Sequence, residues 1–173
     1  MKNSGQSLFL VGVLAVLCAG CAGYHFGPVQ PDVVASAQSI EVAPFNNQTL
    51  EPRLGDAVTQ ALRENLQADG TYRLATGEPG DIVVTGVITR YQRSGVSFLS
   101  SDIATAQSYN VTVTVHVIAR ERATGKLLLD KNVNGETLVQ TGTDLEDAER
   151  QSLPVLAEDL SRNITELLTE GPW

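Results

Sequence analysis

Residues 109–120 alternate more strictly between apolar and polar side chains than any other part of the chain. Threonine, asparagine and His116 occupy one side of this segment. The other side carries apolar or aromatic residues at Tyr109, Val111, Val113, Val115, Val117 and Ala119. A period of two predicts a β-strand whose apolar side faces the core. The polar side is expected to stay open or to meet a partner, and His116 is expected to be structural rather than a metal ligand.

Three further segments have the pattern of strands. Residues 39–45 form the first, in which Pro44 marks the end of pairing. Residues 81–91 are apolar on both faces, which indicates an inner strand covered twice, or covered by something outside the chain. Residues 126–138 follow a turn and are predicted to pair with the strand at 109–120. A short extended piece is expected at 72–74.

Two segments have the three- and four-residue spacing of amphipathic helices. The first is predicted to begin near Pro52 with Thr49 as its cap, and to close at Gly70. The second follows a capping box formed by Thr143 and Glu146. Pro154 lies inside the second helix and is expected to kink or restart it.

This order of elements predicts an α+β fold. We expect a two-layer sandwich, with an approximately four-stranded, mostly antiparallel sheet and two helices packed on one face. Residues 92–108 are predicted to be a long hairpin connection, and long loops of this kind are often functional. The tip of the connection either marks a contact site or folds back onto the sheet, and its apolar residues are Val96, Phe98, Leu99 and Ile103.

The beginning of the chain is typical of an export signal. Residues 8–20 carry no charge and follow Lys2. As a helix they would span about 20 Å, less than the roughly 30 Å of a bilayer core, so they fit a signal peptide better than a membrane span. Cys21, preceded by small residues, resembles the acylated cysteine of a bacterial lipobox, although an ordinary secretory signal is the alternative. By the same resemblance, Ala22 favours the outer over the inner membrane.

These features divide the chain into three parts. Residues 1–20 are predicted to be a lipoprotein signal peptide, residues 21–38 a lipidated tether, and residues 39–173 a single α+β domain. With Cys18 removed and Cys21 acylated, no disulfide and no free thiol would remain, so packing must stabilise the domain.

The composition argues against several classes of function. The net charge is −8, whereas nucleic-acid binding needs a basic face. His25 and His116 are far apart, and no metal site is expected. No phosphate-binding loop, nucleophile elbow or catalytic cysteine is present. We therefore expect no enzymatic activity, no catalytic residues and no cofactor.

Basic residues nevertheless gather about the hairpin that joins the strands at 109–120 and 126–138. Arg120, Arg122, Lys126 and Lys131 make it the densest basic region of an acidic chain. The hairpin either offers charge to an anionic ligand or is a solvated hairpin end.

Taken in order, these pieces resemble the lipopolysaccharide-assembly lipoprotein family LptE. The resemblance covers nearly the whole chain. It rests on CAGYHF at 21–26, IEVAPFNNQT at 40–49 before a helix, GDIVVTGVI at 80–88 leading to Tyr91, Tyr109 at the start of the alternating strand, and a closing amphipathic helix before Trp173.

The resemblance implies a fold, a partner and a location. The family's four-stranded sheet with two helices on one face agrees with the fold predicted above. The protein would plug the lumen of the outer-membrane β-barrel LptD and help lipopolysaccharide reach the outer leaflet. By the same resemblance, a basic patch would bind lipid A phosphates, and the candidate contacts with lipopolysaccharide or the partner are Arg90, Arg93, Phe98, Leu99, Arg120, Arg122 and Lys126. It would be lipid-anchored in the cell outer membrane and face the periplasm. Because residues 40–47 before a helix also resemble lipoproteins that activate peptidoglycan synthases or serve in secretion, a periplasmic regulatory lipoprotein is the alternative.

Overall fold

The computed structural model describes residues 37–99, 102–140 and 145–171. Six strands and two helices lie within these ranges. In chain order they are β1 (Ser39–Val42), β2 (Asn46–Asn47), α1 (Leu54–Asp69), β3 (Arg73–Leu74), β4 (Ile82–Leu99), β5 (Asp102–Glu121), β6 (Leu127–Gln140) and α2 (Leu145–Thr169).

The strands form one mixed sheet in the spatial order β3-β1-β4-β5-β6, with β2 paired to β4 beyond the end of β1. β1 and β2 run parallel to β4, and β3 runs parallel to β1, whereas β4, β5 and β6 are antiparallel neighbours. The α+β class is confirmed, but the sheet is larger and more mixed than four antiparallel strands. The parallel pairs arise because α1 carries the chain from β1 back to the same end of the sheet, as a parallel connection requires.

The core lies between the two helices and one face of the sheet. On β5 the predicted apolar side is fully buried from Val111 to Ala119, while the alternate residues remain partly accessible. α2 contacts β5 and β6, and α1 contacts α2, β1 and β3. Each fully buried valine stabilises the fold by about 1.5–3 kcal/mol, so the alternation decides which face of the sheet the helices cover.

An irregularity in β4 changes which side chains face the helices. The pairing shifts between Ile88 and Arg90, so that Ile88 lies opposite Val115 and Tyr91 opposite Val113. Tyr91 therefore packs against the core. Unbroken alternation along residues 81–91 would place Tyr91 on the face of Val83. The structure places it on the opposite face, because a bulge adds one residue and reverses the alternation after it.

The connection predicted at 92–108 was wrong. β4 continues to Leu99 and β5 begins at Asp102, so the two strands pair through the predicted connection as a ribbon (residues 92–99 and 102–108). β6 pairs with β5 as far as Ser108, and among the described residues only the tip of the ribbon beyond Ser108 has two strands. Three further register irregularities lie between Gly95 and Leu99. The sequence concealed the ribbon because its serine-rich strands lack alternation, whereas a ladder needs only backbone groups.

The start of α1 differs from the prediction, and its end agrees. The helix begins at Leu54, after Arg53 with φ 67°, and has no side-chain cap. Thr49 is not the cap, because its N–H and its hydroxyl both donate to Asn47 Oδ1, at 2.9 and 2.7 Å. Gly70 ends the helix with φ 75° and donates its N–H to the Leu66 carbonyl, as a glycine C-cap does.

α2 is a single helix from Leu145 to Thr169 and contains Pro154. The proline does not restart the helix. Pro154 is exposed, so the carbonyl that loses its partner can bond to water. Thr143 of the predicted capping box lies outside the described residues.

Candidate interaction surfaces

The face of the sheet turned away from the helices carries mostly polar side chains on β5. We call it the open face. None of the described residues buries it under a helix or loop. Its centre is formed on β5 by Asn110, Thr112, Thr114, His116 and Ile118. This confirms the prediction that the alternate side of β5 is mostly polar, and it leaves that side available to a partner.

His116 is held within the open face by two neighbours on β6. Its Nδ1 lies 3.1 Å from Asn132 Oδ1, and its Nε2 lies 3.4 Å from Asp130 Oδ1. Both ring nitrogens thus face an oxygen of the adjacent strand, which is a structural arrangement. Within the described ranges, no cluster of three or more histidine, cysteine, aspartate or glutamate residues could hold a metal.

At the base of the ribbon, Arg93 meets a buried carboxylate of α2. Arg93 Nε lies 2.8 Å from Glu149 Oε1, although the N–H does not align with that oxygen as a hydrogen bond would. Glu149 is only 6% exposed. Burial raises the pKa of its carboxyl, and the Arg93 guanidinium opposes that rise. The pair fastens the ribbon to the first turns of α2.

Tyr91 completes this junction. The Arg93 guanidinium carbon lies 5.7 Å from the centroid of the Tyr91 ring, within range of a cation–π contact. Burial, followed by the negative charge of Glu149, raises the pKa of Tyr91 to about 12. A cleft of about 330 Å³ adjoins the junction, with Glu51 and Arg150 among its lining residues. The phenol stays neutral at physiological pH, so Tyr91 adds no negative charge to the junction.

The other end of the sheet is where the described chain begins. The Asp81 carboxylate accepts hydrogen bonds from the N–H groups of Gln38 and Ser39 and from the Ser39 hydroxyl. The bond from the Gln38 N–H, followed by the one from the Ser39 hydroxyl, lowers the pKa of Asp81. Arg122 lies beside this contact, because its N–H donates to the Asp81 carbonyl. The chain from the tether therefore enters next to the β5–β6 hairpin.

The predicted basic residues do not form one patch. Arg122 is engaged within the fold, since its side chain donates to the Gly80 carbonyl and pairs with Glu41. Arg120 and Lys126 lie exposed near it at the hairpin end. Arg90 is exposed on the open face opposite Thr114, close to the ribbon, and Arg93 lies at the base of the ribbon. The structure thus separates the set between the two ends of the sheet.

The side chains of three predicted site residues lie outside the part of the chain that the structure describes. Phe98 and Leu99 lie in the last part of β4, where the structure does not describe side chains. Cys21 and residues 22–36 of the tether precede the first described residue. The predictions for these three residues remain untested.

Sequence reasoning missed Glu149 and Tyr91. Glu149 was detectable, because it lies four residues before Leu153 and so occupies the apolar stripe of α2. A charged residue on such a stripe needs a partner. Nothing in the sequence identified that partner as Arg93, since the contact depends on the bulge and on the continuation of β4.

None of the helices in the described residues is long and apolar enough to cross a membrane. No curated protein sequence matches the chain. Several solved structures share its fold at low identity. The hypothetical protein CT253 of Chlamydia trachomatis has a TM-score of 0.57 at 8% identity, covering 79% of this chain and 98% of its own.

Two lipoprotein structures are also similar to this chain. A minor lipoprotein of Acinetobacter baumannii has a TM-score of 0.52 at 14% identity, with 78% of this chain and 94% of its own covered. Lipoprotein B of Nitrosomonas europaea has a TM-score of 0.52 at 12% identity, with 85% and 90% covered. At these identities the likeness establishes the fold alone.

The family comparison is more specific. The model of the LptE lipopolysaccharide-assembly family matches residues 37–168. That range contains every strand, all of α1 and all but the last residue of α2. The match agrees with the resemblance drawn from the sequence and with a non-enzymatic role in the cell envelope. The chain belongs to the LptE family of lipopolysaccharide-assembly proteins.

Proposed function

We propose that this protein is a lipid-anchored subunit of the outer membrane that plugs the LptD β-barrel and assists lipopolysaccharide transport to the outer leaflet. The observation that carries the proposal is the family match over residues 37–168. It spans nearly all of the described residues rather than one motif, so the family shares the domain as a whole.

The shape of the domain supports a place inside a barrel. Large outer-membrane barrels have a polar lumen. The open face offers threonine, asparagine and charged side chains, which can bond to a polar wall without burying an unpaired charge. The tip of the ribbon extends beyond the Ser108–Gln140 pair, where β6 ends, and offers a projection that can enter a narrower part of the lumen.

The ends of the sheet then have different roles in the proposal. The chain enters at the end that holds Asp81, so the acylated Cys21 anchors the protein on that side, and the ribbon points away from it. Arg90, exposed on the open face, is the proposed contact for lipid A phosphates, and Phe98 and Leu99 further along are the proposed contacts for acyl chains. Arg93 lies on the opposite face of β4 and is already paired with the buried Glu149 carboxylate. Charge-assisted hydrogen bonds from arginine to phosphate are among the strongest polar contacts available.

The remaining basic residues fit this role less well. Arg122 already pairs with Glu41, so binding a phosphate would require breaking an internal contact. Arg120 and Lys126 are exposed near the tether end, and we assign them to contacts with the anionic headgroups of the surrounding membrane.

The partner is tested by extracting the full-length protein from membranes in mild detergent and identifying co-purified proteins by mass spectrometry. We expect a stoichiometric outer-membrane barrel of the LptD type. Recovery of a penicillin-binding protein without a barrel would instead favour a regulator of peptidoglycan synthesis.

The lipopolysaccharide contact is tested with a matched pair of variants. Arg90→Ala is expected to weaken binding of purified lipopolysaccharide. Arg150→Ala removes the same charge from α2 and should leave binding unchanged. Equal loss in both variants would mean that total charge, rather than this site, governs binding.

The anchor is tested by Cys21→Ser in the full chain. We expect the protein to fold as before and to be released from the membrane fraction, because one hydrophobic anchor is lost. Continued membrane retention of the variant would contradict lipidation at Cys21.

A further inference from the structure

β6 is an exposed edge of the sheet, since the spatial order of strands ends with it. It has 14 residues, and among the described residues it pairs along its length with β5 on one side only. A long edge strand presents unpaired N–H and C=O groups and can pair with the same strand of a second molecule. An edge of this kind needs some form of protection.

Two side chains of α2 occupy the middle of this edge. Asp159 Oδ2 accepts a hydrogen bond from the Glu136 N–H at 2.9 Å. Asn163 Nδ2 donates to the Asn134 carbonyl at 2.8 Å. Both distances are those of good hydrogen bonds. The two backbone groups flank one residue of β6, and an incoming strand would need both of them.

The geometry of the helix and the strand allows both bonds at once. Asp159 and Asn163 are four residues apart and therefore lie on the same face of α2. Gly135 lies between the two bonded backbone groups and lets the helix approach closely. A Cβ added at Gly135 would lie 2.6 Å from Leu160 Cβ and 2.8 Å from Leu160 Cα. No side chain fits there without moving the helix backbone away from the edge.

We propose that Gly135, Asp159, Leu160 and Asn163 form an edge clamp that prevents β6 from pairing with β6 of a second copy of this chain. The clamp binds the donor and the acceptor that strand addition would use, and α2 lies over the adjacent backbone. The inference does not depend on the identity of any other partner, because it concerns only the edge and the helix that covers it.

The test compares self-association of the membrane-extracted, full-length protein in mild detergent with that of Asp159→Ala/Asn163→Ala. Sedimentation equilibrium should show that the parent does not associate with further copies of itself. The double variant should dimerise at least about tenfold more tightly, because two backbone groups become available for bonds between chains. Gln151→Ala/Glu166→Ala, which alters exposed positions of the same helix, should behave as the parent.

Amide hydrogen exchange identifies the surface involved. In dilute solution the Glu136 amide of the double variant should exchange faster than in the parent, because its acceptor is gone. At high concentration its protection should return, together with that of the neighbouring β6 amides. A folded double variant that remains monomeric at every concentration would overturn the proposal, as would association without renewed protection of β6.

A second pair of variants covers the case in which the double variant does not fold. Asp159→Ala and Asn163→Ala each remove one bond and should each give an intermediate increase in association. If either folded single variant associated no more than the parent, the clamp would not be what blocks the edge.

Discussion

Neighbouring residues of β5 form its two faces, and the two faces differ in what they contribute to the protein. Val113 is fully buried beneath the helices, whereas Thr114 is partly accessible on the open face. Substitutions on the covered face act on close-packed side chains. Substitutions on the open face meet water in the isolated protein. Stability is therefore concentrated on one face, and the other is free to serve a partner.

The largest expected effect separates the two faces directly. Val113→Asp should abolish folding, because burying an unpaired carboxylate costs several kcal/mol against a total stability of about 5–15 kcal/mol. Thr114→Asp should change the unfolding free energy by only about 0.5 kcal/mol. Urea unfolding followed by circular dichroism measures both variants. Equal destabilisation would show that the open face is packed in the isolated protein.

The next effect tests how tightly the covered face is packed. Gly86 belongs to that face on β4, and a Cβ there would collide with the ring of Phe45. Gly86→Ala should destabilise the protein by about 1–3 kcal/mol through overpacking. Gly77→Ala is the control, since a Cβ at Gly77 meets nothing within 4 Å. Unchanged stability of Gly86→Ala would mean that Phe45 moves aside at little cost.

A smaller effect is expected at the hairpin end of the sheet. Arg122→Ala removes the bond to the Gly80 carbonyl and the ion pair with Glu41, at a cost of about 1 kcal/mol because the pair is partly exposed. Arg120→Ala on the open face should be within about 0.5 kcal/mol of the parent. The unfolding free energies of both variants are measured under the same conditions. A larger loss in Arg120→Ala than in Arg122→Ala would contradict the assignment of Arg122 as the engaged residue.

The smallest effect concerns pH. Burial raises the pKa of Glu149 in the folded protein, and Arg93 opposes that rise. Between the ordinary glutamate pKa and the raised pKa, the unfolded chain has lost the Glu149 proton while the folded protein still holds it. The free energy of unfolding of the parent therefore falls, relative to that of Glu149→Gln, as the pH rises through this interval. The difference should then stay constant up to neutral pH. Urea unfolding of both proteins across this range measures it, and a difference that shrinks with rising pH would contradict the raised pKa.

Removing the cation sharpens the same measurement. In Arg93→Ala the opposing charge is gone, so the pKa of Glu149 should rise further and the loss of stability should extend to higher pH. Arg90→Ala, which removes a cation from the open face instead, should leave the profile of the parent unchanged.

Much of the fold was predictable from local pattern. The valines of β5 alternate because one face is buried, and Gly70 follows α1 because a left-handed residue suits the end of a helix. The family resemblance also rested on local strings such as IEVAPFNNQT at 40–49. The predictions that failed depended on neighbours distant in the chain. Thr49 was expected to cap α1, but Asn47 holds it instead.

The candidate site was predicted less well than the fold. The sequence identified the basic residues but not their partners, and Arg122 and Arg93 both meet carboxylates from distant elements. Phe98 and Leu99 were assigned to a loop, although β4 continues through them. The sequence shows which side chains are charged. Whether a charged side chain forms an ion pair depends on which residues pack beside it.

The sequence by itself determined the α+β class, the buried face of β5, the two helices and the family. Each of these follows from periodicity or from short strings, which local physical chemistry dictates. Only the tertiary structure decided the mixed six-stranded sheet, the ribbon, the junction of Arg93 with Glu149 and the clamp on β6. Strand direction, register and bulges depend on backbone hydrogen bonds between distant segments, and no side-chain pattern within one segment specifies them.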